Sequence, residues 1–198
     1  MNKPGSWNLQ PRIEKRFGGL AAFLGLLALL SFADSGLSGA ISLTKYQVEA
    51  AFLFNFAKYV DWPATAFSST NAPITIGVLG VDRFDDNLPH AVEGKTVNGR
   101  PFLIKHLSAD DPLAGCQILF ISDSEAARMS EILRRAGLLP ILTVGEGEAF
   151  TASNGIINFA LKDGEVRLEI NLASASQSGL TISSKLLAVA DVVKGRTN

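Results

Sequence analysis

The sequence predicts an α/β fold: a single-domain sandwich in which a mixed, mostly parallel sheet is flanked by helices and finished by a C-terminal β-hairpin and helix. Three observations predict it. Between residues 74 and 144, short apolar runs alternate with helix-like stretches, the order of a parallel sheet with crossover helices. An Asp-Gly pair, Asp163-Gly164, then separates two strand-like runs, which is a strong hairpin signal. Ahead of both lies an aromatic stretch, residues 46–67, with helical spacing.

The chain begins with the layout of a secretion signal, expected over 1–33. Lys3, Arg12, Lys15 and Arg16 precede an uncharged apolar run over 18–30, and Ser31 and Ala33 form a small-x-small site. Cleavage is expected after Ala33, with Ala40 as the alternative. The run of 13 residues falls short of a spanning helix, which needs about 20. Residues 34–43 read as a flexible start to the mature protein and 44–198 as the folded domain. Without residues 1–33 the chain loses four basic groups and one acid, Glu14, leaving 14 against 18 and a net charge of −4. That balance argues against a nucleic-acid partner, which calls for a basic face. The remaining length suits one domain.

The aromatic stretch holds Tyr46, Phe52, Phe54, Phe56, Tyr59, Trp62 and Phe67, seven of the twelve aromatics after residue 33. Phe52, Phe56, Tyr59 and Pro63 follow one helical stripe, with Tyr46, Ala50, Leu53, Ala57 and Val60 beside it. Glu49, Asn55, Lys58 and Asp61 interrupt the apolar arc. Thr44 is a suitable N-cap, and Pro63 forces Trp62 out of the α region, closing the helix near Asp61. Such a helix is either core or a recognition surface on which Tyr59 and Trp62 anchor a partner.

Beyond it, strands are expected at 74–80, 101–107, 116–121 and 138–144. A helix capped by Asp82 is expected over 83–92, and a second, with Ser122 and Glu125 as a capping box, up to Ala136. Two strands at 155–161 and 165–172 form the hairpin, placing Val166, Leu168, Ile170 and Leu172 on one face and Arg167, Glu169 and Asn171 on the other. A final helix is expected over 183–193.

Catalytic chemistry is hard to assemble from these residues. His90 and His106 lack partners at metal-ligand spacing, there is no nucleophile elbow, and no cofactor motif occurs, so no enzyme, metal or cofactor is expected. Gly77, Gly80 and Asp82 mark a strand end that would either hold an anion on backbone N–H groups or simply turn tightly. Arg167, Glu169 and Asn171 form the best polar cluster; they either pair with one another or contribute to a partner or ligand pocket. Cys116 is the only cysteine, so no disulfide forms within the chain, and its apolar strand context points to a buried, inert thiol.

The string A-A-F-L-F-N-F-A-K-Y-V-D-W-P resembles the opening signature of the YfiR family of periplasmic regulators. The resemblance continues through I-G-V-L-G-V-D-R-F, C-Q-I-L-F-I-S, L-P-I-L-T-V, L-E-I-N-L and I-S-S-K-L-L-A-V-A. It implies a periplasmic protein that binds the periplasmic sensor domain of a membrane-bound diguanylate cyclase and represses it, lowering cyclic di-GMP and biofilm formation. It also implies a homodimer and draws attention to R-L-E-I-N-L. The chain departs from the family in its single cysteine, in Asn154-Gly155 where paired glycines are common, and in the few aromatics of its C-terminal region. A small-molecule-binding protein without a cyclase partner, with a pocket near Gly80 and Arg167, is the rival expectation.

Overall fold

The computed structural model describes residues 44–147 and 149–193; the expected signal at 1–33 and the start at 34–43 lie outside the described residues. The first helix, α1 (Lys45–Tyr59), carries the aromatic stripe. Thr44 caps it reciprocally: Gln47 N–H donates to Thr44 Oγ1 at 3.3 Å and Thr44 N–H donates to Gln47 Oε1 at 2.8 Å. The helix ends at Tyr59, two residues short of the expected Asp61. Val60 and Asp61 turn extended instead and form β1 (Val60–Asp61), antiparallel to β9 (Thr181–Ile182).

The remaining strands make one eight-stranded sheet. They are β2 (Ile74–Leu79), β3 (Thr96–Val97), β4 (Arg100–Leu107), β5 (Ile118–Ile121), β6 (Leu142–Glu146), β7 (Ile157–Lys162), β8 (Glu165–Asn171) and β10 (Ala190–Val193), in the spatial order β10-β8-β7-β6-β5-β2-β4-β3. Pairing is parallel except at two hairpins, β3–β4 and β7–β8. Both hairpins turn on residues with positive φ, Asn98-Gly99 at 52° and 76° and Asp163-Gly164 at 54° and 78°, as a two-residue turn that follows strand twist demands. The mixed, mostly parallel sheet expected from the sequence is thus present.

Helices cover both faces of the sheet. On one, Phe52 and Phe56 of α1 lie against Phe159 of β7, each with ring centroids 6.0 Å apart, and Phe54 meets Phe102 of β4 at 5.5 Å. On the other, α3 (Met129–Ala136) buries Ile132, Leu133 and Ala136 against Leu79, Leu119, Ile121 and Phe150. Each fully buried apolar side chain here is worth about 1.5–3 kcal/mol, so the two layers supply the main driving force.

Several elements depart from expectation. Helix α2 (Asn87–Val92) starts four residues late, because Asp82 accepts the Phe84 N–H (2.7 Å) in a local turn and Asp85 adopts a positive φ of 48°. Ser122 and Glu125 form no capping box; Ser122 Oγ accepts the Ser124 N–H and a 3-10 turn, Asp123–Arg128, precedes α3. The strand expected from Leu138 begins at Leu142, with Leu138 80% exposed. Leu172 does not continue β8, since Asn171 caps a short helix, α4 (Leu172–Gln177). The long final helix is replaced by α5 (Ser184–Leu187) and then β10, which pairs parallel with β8. The β-branched Val192 and Val193 suit a strand, and the pairing satisfies backbone groups that would otherwise stay open along β8.

Phe150 lies flat on two glycines. A Cβ at Gly145 would fall 2.3 Å from its ring and one at Gly155 would fall 2.2 Å from it, inside any tolerable contact. Gly145→Ala is therefore expected to cost about 1–3 kcal/mol in urea unfolding, with part of the loss recovered in the Gly145→Ala/Phe150→Leu double variant. Simple additivity of the two losses would refute the clash.

Candidate functional site

Strand β2 is followed in sequence by β4 on one flank and by β5 on the other, so the direction of sheet growth reverses between β2 and β5. Open α/β sheets hold ligands at the carboxyl ends of the strands at such a point. Here that edge is filled by its own side chains. Gly80 turns with φ at 91° and its absent Cβ makes room for Ser124 Oγ, which a Cβ would approach to 2.5 Å. Gly80 N–H donates to Leu107 O (3.3 Å) and Val81 N–H to Ser124 Oγ (3.0 Å). Asp82 accepts the Phe84 N–H and meets His106 Nε2 at 2.7 Å. Gly77 lies within the sheet, where a Cβ would stand 3.0 Å from Leu107 and 3.1 Å from Cys116 and Leu119. The backbone donors of Gly80 and Val81 are thus already engaged.

A polar chain continues from this turn across the strand ends. Arg83 Nη2 bonds Asp123 Oδ1 at 2.7 Å and its Nη1 reaches Tyr46 Oη at 3.4 Å. Lys45 Nζ lies 5.2 Å from the centre of the Tyr46 ring, 3.7 Å from Glu49 Oε1, and in hydrogen-bond contact with Glu146 Oε2. The first turns of α1 are thereby tied to the end of β6. Glu49 is 0% exposed, and among the described residues neither of its carboxyl oxygens has a hydrogen-bond partner. Burial raises its pKa to about 8; the charge of Glu146 adds to the rise and Lys45 opposes it. Lys45 itself is shifted upward: burial pulls it down, but the bond to Glu146 and the two carboxylate charges outweigh that. Glu49 is therefore mostly protonated at neutral pH.

The polar residues of the R-L-E-I-N-L segment, Arg167, Glu169 and Asn171, alternate along β8 onto one sheet face but do different work. Arg167 pairs with exposed Glu165 at 2.8 Å. Glu169 accepts from Asn158 Nδ2 (2.9 Å) and from Lys162 Nζ (3.1 Å), and Lys162 also reaches Asp191 at 3.3 Å. The bond to Glu169 is the main reason the Lys162 pKa is raised. Asn171 is buried and caps α4 by accepting the Ser174 N–H at 3.1 Å. Gly80 and Arg167 are not brought together, because β5, β6 and β7 separate their strands.

Tyr59, the last residue of α1, and Trp62, three residues beyond it, are half-buried. Trp62 Nε1–H donates to Gln117 O (3.1 Å), and buried Gln117 accepts the Thr75 N–H and donates to Ala66 O. Gln117 thus stitches the loop after Trp62 to the amino edge of the sheet. Sequence reasoning passed over Gln117 and Glu146, and read Glu49 only as an interruption of the apolar arc. The available signal was a polar residue inside an otherwise apolar element, most visibly in C-Q-I-L-F-I. Cys116 is free and buried, and burial pushes its thiol pKa up.

Among the described residues no group of three or more His, Cys, Asp or Glu is placed to hold a metal, and no helix is long and apolar enough to cross a membrane. These elements define a mixed-sheet α/β protein whose strand-end polar groups are paired internally. Residues 46–191 match the YfiR/HmsC-like family, and the chain belongs to that family. The family is regulatory rather than catalytic, and membership suggests a periplasmic regulator of cyclic di-GMP signalling. No curated protein matches the chain.

Glu49 makes a pH prediction. Its folded pKa lies above the unfolded value, so the folded state holds a proton that the unfolded state releases between about pH 4.5 and 8. Stability from this group is present below that window and falls as pH rises through it. Glu49→Gln is expected to flatten the melting temperature across this range and to raise it near pH 8. An unchanged slope would refute the assignment.

Proposed function

We propose that the protein is a periplasmic repressor of an inner-membrane diguanylate cyclase, acting on the cyclase's periplasmic sensor domain to lower cyclic di-GMP and biofilm formation. The observation that carries this reading is the family match, which extends from the first turn of α1 into β10 and so includes every layer of the described fold. Repression is a population shift: the protein must bind the inactive receptor better than the active one.

Of the two faces considered for the partner, the C-terminal end of the sheet is better supported. The phenylalanines of α1 are spent on the core, Tyr46 on Arg83 and Trp62 on Gln117. By contrast, among the described residues β10 is the outermost strand on its side, Val192 and Leu161 are 55% and 63% exposed, and Arg167 is held only by an exposed carboxylate. Edge strands and exposed apolar side chains are what a partner domain can engage. The rival reading, a small-molecule-binding protein without a cyclase partner, is favoured by a pocket on the α3 side of the sheet.

The test is recovery of partners from solubilised envelope with the purified protein as bait. A membrane protein with a cyclase domain is expected, and Arg167→Glu combined with Val192→Asp should reduce its recovery by about tenfold or more, roughly 1.4 kcal/mol, while leaving the melting temperature unchanged. Cells carrying that variant should show raised cyclic di-GMP. Failure to recover any cyclase under both reducing and oxidising conditions would overturn the proposal.

A further inference from the structure

The α3 side of the sheet carries a pocket of about 600 Å³ between α3, the 3-10 turn Thr151–Ser153 and α4. Its volume falls within the usual range for small-molecule sites, roughly 300–1,000 Å³. The wall is built from Ser130 and Arg134 of α3, Thr143 of β6, Asn154, and Ser174 and Ser178 around α4, over an apolar floor.

Three features give this pocket a chemical preference. Among the described residues no carboxylate lines it, and Arg134 is its one charged lining residue. The neighbouring arginines are already engaged, Arg128 with Asp110 and Glu131 and Arg135 with the carbonyls of Ala109 and Asp111, whereas Arg134 has no ion-pair or hydrogen-bond partner among the described residues. Ser174 and Ser178 are 6% and 8% exposed, and among the described residues neither hydroxyl has a partner, yet neither is sealed from the pocket. Buried hydroxyls are normally satisfied, and a guanidinium is the side chain best matched to carboxylate and phosphate oxygens.

We propose that this pocket binds a small polyhydroxylated metabolite carrying one carboxylate or phosphate group, with Arg134 receiving the anionic group and Ser174 and Ser178 receiving hydroxyls. The site lies away from both the strand-end network and the C-terminal edge of the sheet, so it stands or falls independently of cyclase binding. Arg134 is exposed at the rim and holds no other element, so its replacement leaves the fold intact.

The experiment measures melting temperature and titration calorimetry on the purified protein with D-gluconate, glycerol 3-phosphate, inorganic phosphate and sorbitol at constant ionic strength. A saturable rise with gluconate identifies a carboxylate site, and one with glycerol 3-phosphate a phosphate site. Arg134→Gln should weaken whichever binds by about tenfold or more, Ser178→Ala should weaken it less, and Arg128→Gln should leave it unchanged. An equal response to sorbitol, retention of binding in Arg134→Gln, or no saturable response to any of the four would overturn the proposal. Binding of inorganic phosphate as tightly as glycerol 3-phosphate would also overturn it, since the hydroxyl contacts would then contribute nothing.

Discussion

Everything in this fold depends on the aromatic seam between α1 and the sheet. Phe52 and Phe56 stand one helical turn apart and both meet Phe159, while Phe54 turns to Phe102 four strands away along the same sheet face. Large rings in edge and offset contact contribute area burial plus roughly 0.5–1.5 kcal/mol per pair. One helix thereby clamps strands that are distant in sequence. Its polar residues must then be reconciled with burial, and they are handled in two ways: Asn55 bonds back to Ala51 O within the helix, and Glu49 keeps its proton.

The two edges of the sheet are managed differently. At the amino edge, Gln117 uses both ends of its amide and its own carbonyl to gather Thr75, Ala66 and Trp62 into a buried polar node. At the carboxyl edge, Asp123, Arg83, Tyr46, Lys45 and Glu146 form a chain in which charge is shared, and buried Glu49 lies beside Lys45 at 3.7 Å without a hydrogen bond among the described residues. An isolated charge there would be costly, and protonation is the cheaper outcome. The edge that most α/β proteins leave open for ligands is in this way occupied by the protein's own side chains.

That arrangement bears on how a regulator of this family can work. The family is regulatory, and the free energy available to a regulator is the difference in its affinity for two states of a partner. The edge strand β10 and the pocket beside α4 lie on elements joined through β8 and Asn171, which ends the one and caps the other. A ligand at α4 would thus act at the end of β8 and a partner at β10 along its side.

Sequence alone determined the elements whose cause is local. The alternation of apolar runs, the Asp163-Gly164 turn, the Thr44 cap and the helical spacing of Phe52, Phe56 and Tyr59 each depend on residues within a few positions of one another. What it misread depended on distant partners. Residues 190–193 have helical patterning but become a strand because β8 offers an unpaired edge, and Val60 leaves the helix because Thr181 and Ile182 lie beside it. The candidate sites divide the same way: Arg167 and Glu169 were legible from alternation along a strand, whereas the contact of Lys45 with Glu146, and the hydroxyls gathered around Arg134, come from segments up to about a hundred residues apart. Only tertiary structure could decide these, because a side chain's charge, partner and exposure are set by what the fold places next to it.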